Sequence, residues 1–490
     1  MPLDLRIEDL PAAQEPFVVT IDDYGFTGEG FVRLQDGWLS VRHAMPGEEV
    51  KVALETHQRG GRRRFATLLE VLTPHPERRP PLCDRADICR GCQLRHLSIQ
   101  EEAAFKARAL REVLLKFAGF DDATQLPPIH LIAPPGMMRA DGWRVRTSLH
   151  YTQLATDRYE LGLRSPGQPH LIPMADCPAL GQAARRLVEQ VCSHLDALAR
   201  QGALPRSAPS DAPRGDAQEE QDTLEKIDSD TQHPHLLGLR IAAPAHGRGF
   251  IELRQSPHDH ICPNIFALIE ALDKTLPEHV SIFLSRGDTC ERLRGPERLR
   301  ITLAGLTLEL DPRDWFHATL EPAESLYEQV AQWLDLRPGE RFLDVGCGIG
   351  TLSLLAARAG LHATGIDAKL TSIQSATYNA SRLGLGARAE FVAGSWESAL
   401  KKLWQRQQRF DVATINPMRE PLGERALSYL QTLGPERLVY LGPSPASTAR
   451  DLGLLRARGW RVTALGGAML HPATYHVMLV AQCVRDPAVT

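Results

Sequence analysis

Cys83, Cys89 and Cys92 are spaced C-x5-C-x2-C in a stretch rich in proline, aspartate and glycine. Three thiols at that spacing point to metal ligation rather than to buried packing residues. A fourth ligand has to come from elsewhere, and Cys177 in Ala175-Asp176-Cys177-Pro178 is the best candidate. Zinc and iron–sulfur clusters both accept four thiolates, and spacing alone does not separate them. The remaining cysteines (192, 262, 290, 347 and 483) stand alone in apolar or helical settings and read as small buried hydrophobes. A second constellation is Asp344-Val345-Gly346-Cys347-Gly348-Ile349-Gly350, between a strand-like run and an apolar helix. Its glycines let a ligand approach the backbone where a helix N-terminus offers free N–H groups. The spacing is G-x-G-x-G, not the G-x-G-x-x-G of dinucleotide sites. Asp367 ends the next strand, where an acid can bind ribose hydroxyls.

The elements that must position these groups fall into three regions, as expected for a chain of 490 residues. Residues 16–73 hold short strand-like runs (17–21, 30–34, 38–41 and 49–54) divided by turn residues, a pattern that predicts a small β-barrel over 12–75. Arg59, Arg62, Arg63 and Arg64 fall on one expected loop of that barrel, with Arg78 and Arg79 following. Such a run is commonly a solvated loop, but on an oligonucleotide-binding-like barrel it would contact phosphates. Residues 76–310 read as a central α+β domain, strand-rich between helical patches at 103–117 and 183–199. From 311 to 490, strands at 342–345, 362–366, 390–393, 411–415, 438–441, 462–465 and 477–481 alternate with helices, which predicts a doubly wound α/β domain with a mostly parallel sheet.

Composition narrows the classes further. At 43% hydrophobic and 24% charged, the chain is neither collagen-like nor wholly disordered. No run approaches the ~18 apolar residues of a membrane span. Met1–Glu15 is acidic without an apolar core, so no secretory signal is expected, and the cysteines read as thiols of a cytoplasmic protein. The net charge of −4 is set by 206–231, which has eight acidic and three basic residues and reads as a disordered insertion. The rest of the chain is close to neutral, so acidity does not exclude a nucleic-acid partner.

The glycine loop with its downstream acid resembles the S-adenosylmethionine loop of class I methyltransferases. Over nearly its whole length the chain resembles the RNA (uracil-5-)-methyltransferases, in particular the iron–sulfur-containing ribosomal-RNA branch. Ala44-Met45-Pro46-Gly47-Glu48 is similar to the proline-glycine turn of a TRAM domain, and Cys89-Arg90-Gly91-Cys92-Gln93-Leu94-Arg95-His96 is close to the family's cysteine-glycine-cysteine-glutamine signature. Trp143–Arg146, Leu161–Arg164, Asp311–His317, Leu343–Gly350, Asn416–Arg419 and Pro445–Asp451 match further motifs. The resemblance implies three parts: an N-terminal TRAM or OB-like β-barrel, a central α+β domain with an iron–sulfur cluster, and a C-terminal Rossmann-like class I methyltransferase domain. It implies a [4Fe–4S] cluster on Cys83, Cys89, Cys92 and Cys177, and RNA contact by Arg62, Arg63 and Arg64. It also implies cofactor binding by His317, Asp344, Gly346, Gly348, Gly350, Thr351, Asp367, Ser395 and Asn416. A monomer acting on ribosomal or transfer RNA, with no membrane partner, is expected.

The departures concern the reacting groups. In this family a cysteine thiolate adds to C6 of uracil, making C5 nucleophilic, and a carboxylate later removes the C5 proton. The family's serine-cysteine-asparagine-proline motif aligns with Gly442-Pro443-Ser444-Pro445, so Pro443 takes the nucleophile's slot. Met478, in Pro472-Ala473-Thr474-Tyr475-His476-Val477-Met478, takes the base's slot. His317 stands where a glutamine is usual, and Thr351 and Ser395 at two asparagine-type positions. The catalytic residues are thus unassigned, and the covalent route is expected not to run. Two readings remain. One is an RNA methyltransferase with altered chemistry, since a nitrogen lone pair attacks a methyl donor without an enzyme adduct. The other is an inactive iron–sulfur RNA-binding scaffold or assembly factor.

Overall fold

The structure, a computed structural model, describes residues 6–55, 61–134, 141–165, 168–207, 234–244, 248–258, 260–418 and 420–486. Arg59, Arg419 and nearly all of the expected 206–231 insertion lie outside the described residues. The chain divides into two compact units, 1–112 with 471–477, and 113–470 with 478–490.

The first unit is built on a six-stranded sheet. Its strands are β1 (Pro16–Thr20), β2 (Asp23–Tyr24), β3 (Gly30–Arg33), β4 (Trp38–Val41), β5 (Glu49–Leu54) and β6 (Arg63–Thr73), in the order β1-β5-β6-β4-β3-β2. All pairs are antiparallel except β4 with β6. Alternating side chains (Val19, Leu39, Val41, Val50, Val52, Ala66) turn inward and form its core. Arg63 and Arg64 begin β6 rather than lying on a loop, because they pair with Trp38 and Leu39 of β4. Glu48, fully buried, accepts both Nε and Nη2 of Arg78 at 2.5 and 2.7 Å, together with the backbone N–H groups of His75 and Met45. Burial alone would raise this carboxyl, but those donors outweigh it and hold it below the usual range. Arg78 is therefore committed to the fold rather than extended for phosphate. Beyond it comes α1 (Ile99–Phe117).

In the second unit the central sheet comprises β8 (Arg146–Ala155), β9 (Arg158–Leu163), β10 (Ile172–Pro173), β11 (Leu236–Ala242), β12 (Gly249–Gln255), β13 (Val280–Arg286) and β14 (Thr289–Arg294), ordered β10-β9-β8-β11-β12-β13-β14. Helices α2 (Gln182–Arg200) and α3 (Ile265–Thr275) share its core through Leu187, Val191, Leu195, Leu268 and Leu272. A hairpin, β15 (Leu299–Leu303) with β16 (Leu306–Leu310), leads to α4 (Leu320–Leu334).

The alternating part then follows as β17 (Arg341–Val345), α5 (Thr351–Arg358), β18 (His362–Asp367), α6 (Leu370–Arg382), β19 (Ala389–Ala393), α7 (Trp396–Gln405), β20 (Val412–Ile415), α8 (Glu424–Leu433), β21 (Arg437–Gly442), α9 (Pro445–Arg456), β22 (Trp460–Ala468) and β23 (Met478–Arg485). The order is β19-β18-β17-β20-β21-β23-β22-β7, where β7 is Ile129–Ile132. β17 to β21 pair in parallel, whereas β23 runs antiparallel to both β21 and β22. β7, from well before residue 311, pairs in parallel with β22, so this sheet reaches back into the 76–310 region. Phe342, Leu343, Val345, Val412 and Ile415 are buried, as parallel strands covered by helices on both faces require.

Candidate functional site

The order reverses between β18-β17 and β17-β20, and there the carboxyl ends of neighbouring strands leave a crevice for ligands. Gly346, Gly348 and Gly350 follow β17 with φ of +80°, +53° and +84°. A Cβ on Gly346 would stand 2.1 Å from the carbonyl oxygen of Asn416, and one on Gly350 would strike Ala376 and Phe391. A Cβ on Gly348 would meet nothing within 4 Å, so this peptide alone of the three faces open space. Its N–H donates to Asp367 Oδ2 at 2.9 Å, while the N–H of Lys369 donates to Oδ1 at 2.8 Å. Asp367 is half-buried, and each oxygen keeps a lone pair for a further donor.

Asp344 serves differently. It is 1% exposed, accepts from Thr414 Oγ1 at 2.7 Å, and accepts from both the N–H and Oγ of Ser353 at 3.1 and 2.7 Å. Burial pushes its carboxyl up to about 6 despite these donors. It lies beneath the loop, ties β17 to β20 and α5, and so positions the glycines. Asn416 follows β20, its N–H bound to Val345 O at 2.7 Å, which lays its backbone against Gly346. Ser395 is exposed beyond β19 and caps α7 by accepting from the N–H of Ser398. Thr351 opens α5 and is buried.

His317 joins this patch through a chain of contacts. It is 3% exposed, and its Nε2 lies 3.2 Å from the hydroxyl of Tyr327, which is hydrogen-bonded to Thr351. Its ring packs edge-on against Trp315 with centroids 4.6 Å apart. Burial first, then the nearby Arg146 guanidinium, pushes His317 down to about 3, so it stays neutral near pH 7. Arg146 covers the faces of Trp315 and Phe316. Asp314, 1% exposed, accepts from Thr371, Ser372 and Ser375 in α6, which fixes the segment leading to His317. Thr414 escapes sequence reasoning because it meets Asp344 seventy residues away, and Tyr327 and Ser353 because no motif marks their contacts with His317 and Asp344.

Pro443 and Met478 meet at one strand end. Pro443 is exposed just after β21, and Leu479, following Met478, is paired with Gly442. Met478 is 7% exposed and packs among Ile132, Ala468, Leu470 and Val480. The thiols inside this sheet are inert: burial pushes Cys483 up to about 12 and Cys347 well above its ordinary value. Asp451, fully buried, accepts the hydroxyl of Tyr440 at 2.5 Å and the N–H of Leu422 at 2.6 Å. It thereby pins the segment that follows Asn416-Pro417.

The other predicted ligands are placed as follows. Cys83, Cys89 and Cys92 are half-buried in the 79–96 loop, whose ends are closed by the Arg78↔Leu97 bridge and by the N–H of Arg79 donating to His96 O. Cys177 is half-buried in a turn of the second unit, its carbonyl accepting from Arg185 Nη2 at 3.0 Å. Among the described residues no three His, Cys, Asp or Glu side chains converge tightly enough to hold a single ion. Arg63 is already paired with Glu29, bonds Ser40 Oγ at 2.9 Å and lies over Phe65. Arg64 donates to Gly61 O at 3.0 Å, and Arg62 precedes β6. No described helix is long and apolar enough to cross a membrane.

The family model described as "Methyltransferase domain" matches residues 336–446, which include the glycine loop, Asp367 and the strand-order reversal. Over nearly the whole chain the relatives are more particular. The 23S rRNA (uracil(1939)-C(5))-methyltransferase RlmD of Edwardsiella ictaluri is 27% identical over 471 residues, covering 96% of both chains. An uncharacterised RNA methyltransferase of Halalkalibacterium halodurans is 25% identical and covers 94% of this chain and 95% of its own. The crystal structure of Pyrococcus abyssi tRNA (uracil-54, C5)-methyltransferase with S-adenosyl-L-homocysteine matches with a TM-score of 0.70 and 21% identity, over 95% of this chain and 99% of that one. Over most of its length the chain is thus similar to RNA (uracil-C5)-methyltransferases, and it shares the fold of the Pyrococcus enzyme over 95% of its residues.

Proposed function

We propose that this chain is an S-adenosylmethionine-dependent RNA methyltransferase acting on ribosomal or transfer RNA, whose transfer does not pass through a protein thiolate adduct. The observation that carries the reading is the open Gly348 peptide, braced by Asp367, with Asn416 against Gly346 at the strand-order reversal. The residues fit this cofactor. The Gly346–Gly350 backbone would receive its amino-acid part, and Asp367 would accept its ribose hydroxyls. Thr351, Ser395, Asn416 and the neutral His317 offer further polar groups. When bound, the cofactor supplies a methyl group on a sulfonium, open to attack by a lone pair.

Uracil C5 is a poor nucleophile until something adds to C6. Pro443 carries no such group, Met478 no carboxylate, and the two buried thiols of the sheet are held protonated. A ring or exocyclic nitrogen needs no adduct, so nitrogen is the acceptor we favour. RNA containing 5-fluorouridine should form no denaturant-resistant complex with the purified protein. Such a complex would place a nucleophile at this strand end after all. The same two side chains favour a second reading, a scaffold or assembly factor derived from this family. Isothermal titration with S-adenosylmethionine separates the two, since a scaffold that has lost the cofactor shows no heat.

The remaining parts of the proposal follow the resemblance. Cys83, Cys89, Cys92 and Cys177 would hold a [4Fe–4S] cluster, whose four irons space their thiolates more widely than one zinc ion does. Anaerobically purified protein should be brown with sulfur-to-iron charge-transfer bands, and a colourless zinc protein would overturn the assignment. The N-terminal sheet would act as a TRAM-like RNA-binding barrel, with Arg62 and Arg64 freer to meet phosphate than Arg63. The protein is expected to be monomeric and cytoplasmic.

A further inference from the structure

A cleft of about 490 Å³ opens in the second unit, lined by none of the residues assigned to the cofactor, and nothing in the proposed reaction uses it. Its lining is Arg248, Pro296, Glu297, Arg298, Glu309 and Tyr378. These come from the start of β12, the β14–β15 connection, the β15–β16 hairpin and the middle of α6. Such convergence of charged groups from separate elements calls for an account of its charge.

Glu309 sits at the centre. It receives Nε and Nη2 of Arg300 at 3.0 and 2.6 Å, the guanidinium of Arg248 at 3.5 Å and the hydroxyl of Tyr378 at 3.3 Å. Burial alone would raise this carboxyl, but Arg300, Arg248 and Arg382 outweigh it and keep it charged. One carboxylate cannot balance the positive charge around it. Two arginines (248 and 298) and two glutamates (309 and the exposed 297) line the cleft, and Arg300 and Arg382, which act on Glu309 from outside that lining, supply the positive excess. Arg298 makes no ion pair among the described residues. Its guanidinium carbon lies over Tyr378, 4.3 Å from the ring centroid, with Nη1 donating to Ser375 Oγ and Asp311 in its vicinity. Tyr378 is 40% exposed.

A part-exposed aromatic ring with a guanidinium over it, at the edge of a cleft backed by further arginines, is a pairing that suits single-stranded nucleic acid. The planar pair offers a stacking surface to a base, and the arginines meet the flanking phosphates. We propose that this cleft holds an unpaired RNA nucleotide and its phosphates, as a docking subsite separate from the methyl-transfer crevice. The inference rests on RNA being the substrate. The subsite would set the register of the strand, and its stacking platform discriminates little between bases.

The test uses the full-length protein and a fluorescein-labelled single-stranded RNA of about 12 nucleotides, within the span one such surface covers. Anisotropy is read over a series of salt concentrations. Tyr378→Ala should weaken binding about five- to hundredfold, and Tyr378→Phe, which keeps the ring, should bind as the wild type does. Arg298→Ala should lower the slope of log affinity against log salt by about one. Cofactor binding measured by calorimetry should stay unchanged in all three variants, which controls for folding. If the wild type binds RNA and the alanine variants match it in affinity and slope, the subsite is refuted while the RNA reading stands. Equal loss in Tyr378→Phe would refute the stacking platform. A wild type that binds no RNA at low salt would overturn both.

Discussion

Replacing His317 by glutamine should remove a measurable part of the protein's acid sensitivity. His317 is buried and held neutral, its folded acid constant near 3 against an ordinary 6.5. The unfolded chain therefore binds a proton that the folded one refuses, and the stability this histidine contributes is present above pH 6.5 and lost as pH falls towards 3. At pH 5.5, one unit below the unfolded value, the loss is about 1.4 kcal/mol relative to pH 7.5. His150, His43 and His96 are lowered too and work in the same direction, while Asp344, raised to about 6, works in the opposite one. All four are common to both proteins and cancel in the difference. Glutamine keeps a polar group beside Tyr327 and does not titrate. Urea unfolding followed by tryptophan fluorescence, with Trp315 against the imidazole as a local reporter, gives each protein's stability at both pH values. Between pH 7.5 and 5.5 the wild type should lose about 1.4 kcal/mol more than His317→Gln. Equal losses would mean that the folded imidazole titrates as the unfolded one does, and the buried Tyr327–His317 contact would be wrong.

Three further outcomes follow from the same geometry. Gly346→Ala forces a Cβ to within 2.1 Å of Asn416 O at a φ of +80°, so cofactor binding by calorimetry should be abolished and the melting temperature lowered. Asp367→Ala removes the acceptor of the Gly348 N–H, which should weaken cofactor binding by about tenfold or more with little change in the melt, since the group is half-exposed. Glu48→Ala leaves the part-buried Arg78 guanidinium without its carboxylate, though still bound to the His43 carbonyl, and should cost about 2–3 kcal/mol in urea unfolding of the first unit, with cofactor binding in the second unit retained.

Local pattern carried much of the fold. The strands over 38–41 and 49–54 appear at the expected bounds, and those from 342 onward within a few residues, because strand–helix alternation is written in short apolar runs and turn residues. Ile129–Ile132 was harder, since its partner β22 lies more than three hundred residues away and four residues carry little periodicity. Arg63 and Arg64 look like loop residues by charge, yet β4 supplies the pairing that makes them strand. The glycine turn after β17 was legible because its spacing is local. The buried supports were not: Asp344 reads as a ligand until Thr414 and Ser353 are seen to occupy it. His317 differs again, since its neutrality depends on Tyr327, Trp315 and Arg146, which no spacing rule connects.

The central claim is methyl transfer to RNA without a protein–RNA adduct. Its most direct test is to incubate the purified protein with RNA from a strain lacking it and S-adenosylmethionine carrying a deuterated methyl group, then resolve the nucleosides by mass spectrometry. One labelled nucleoside is expected, with its methyl group on a nitrogen. Labelled 5-methyluridine, or no label in RNA at all, would contradict it.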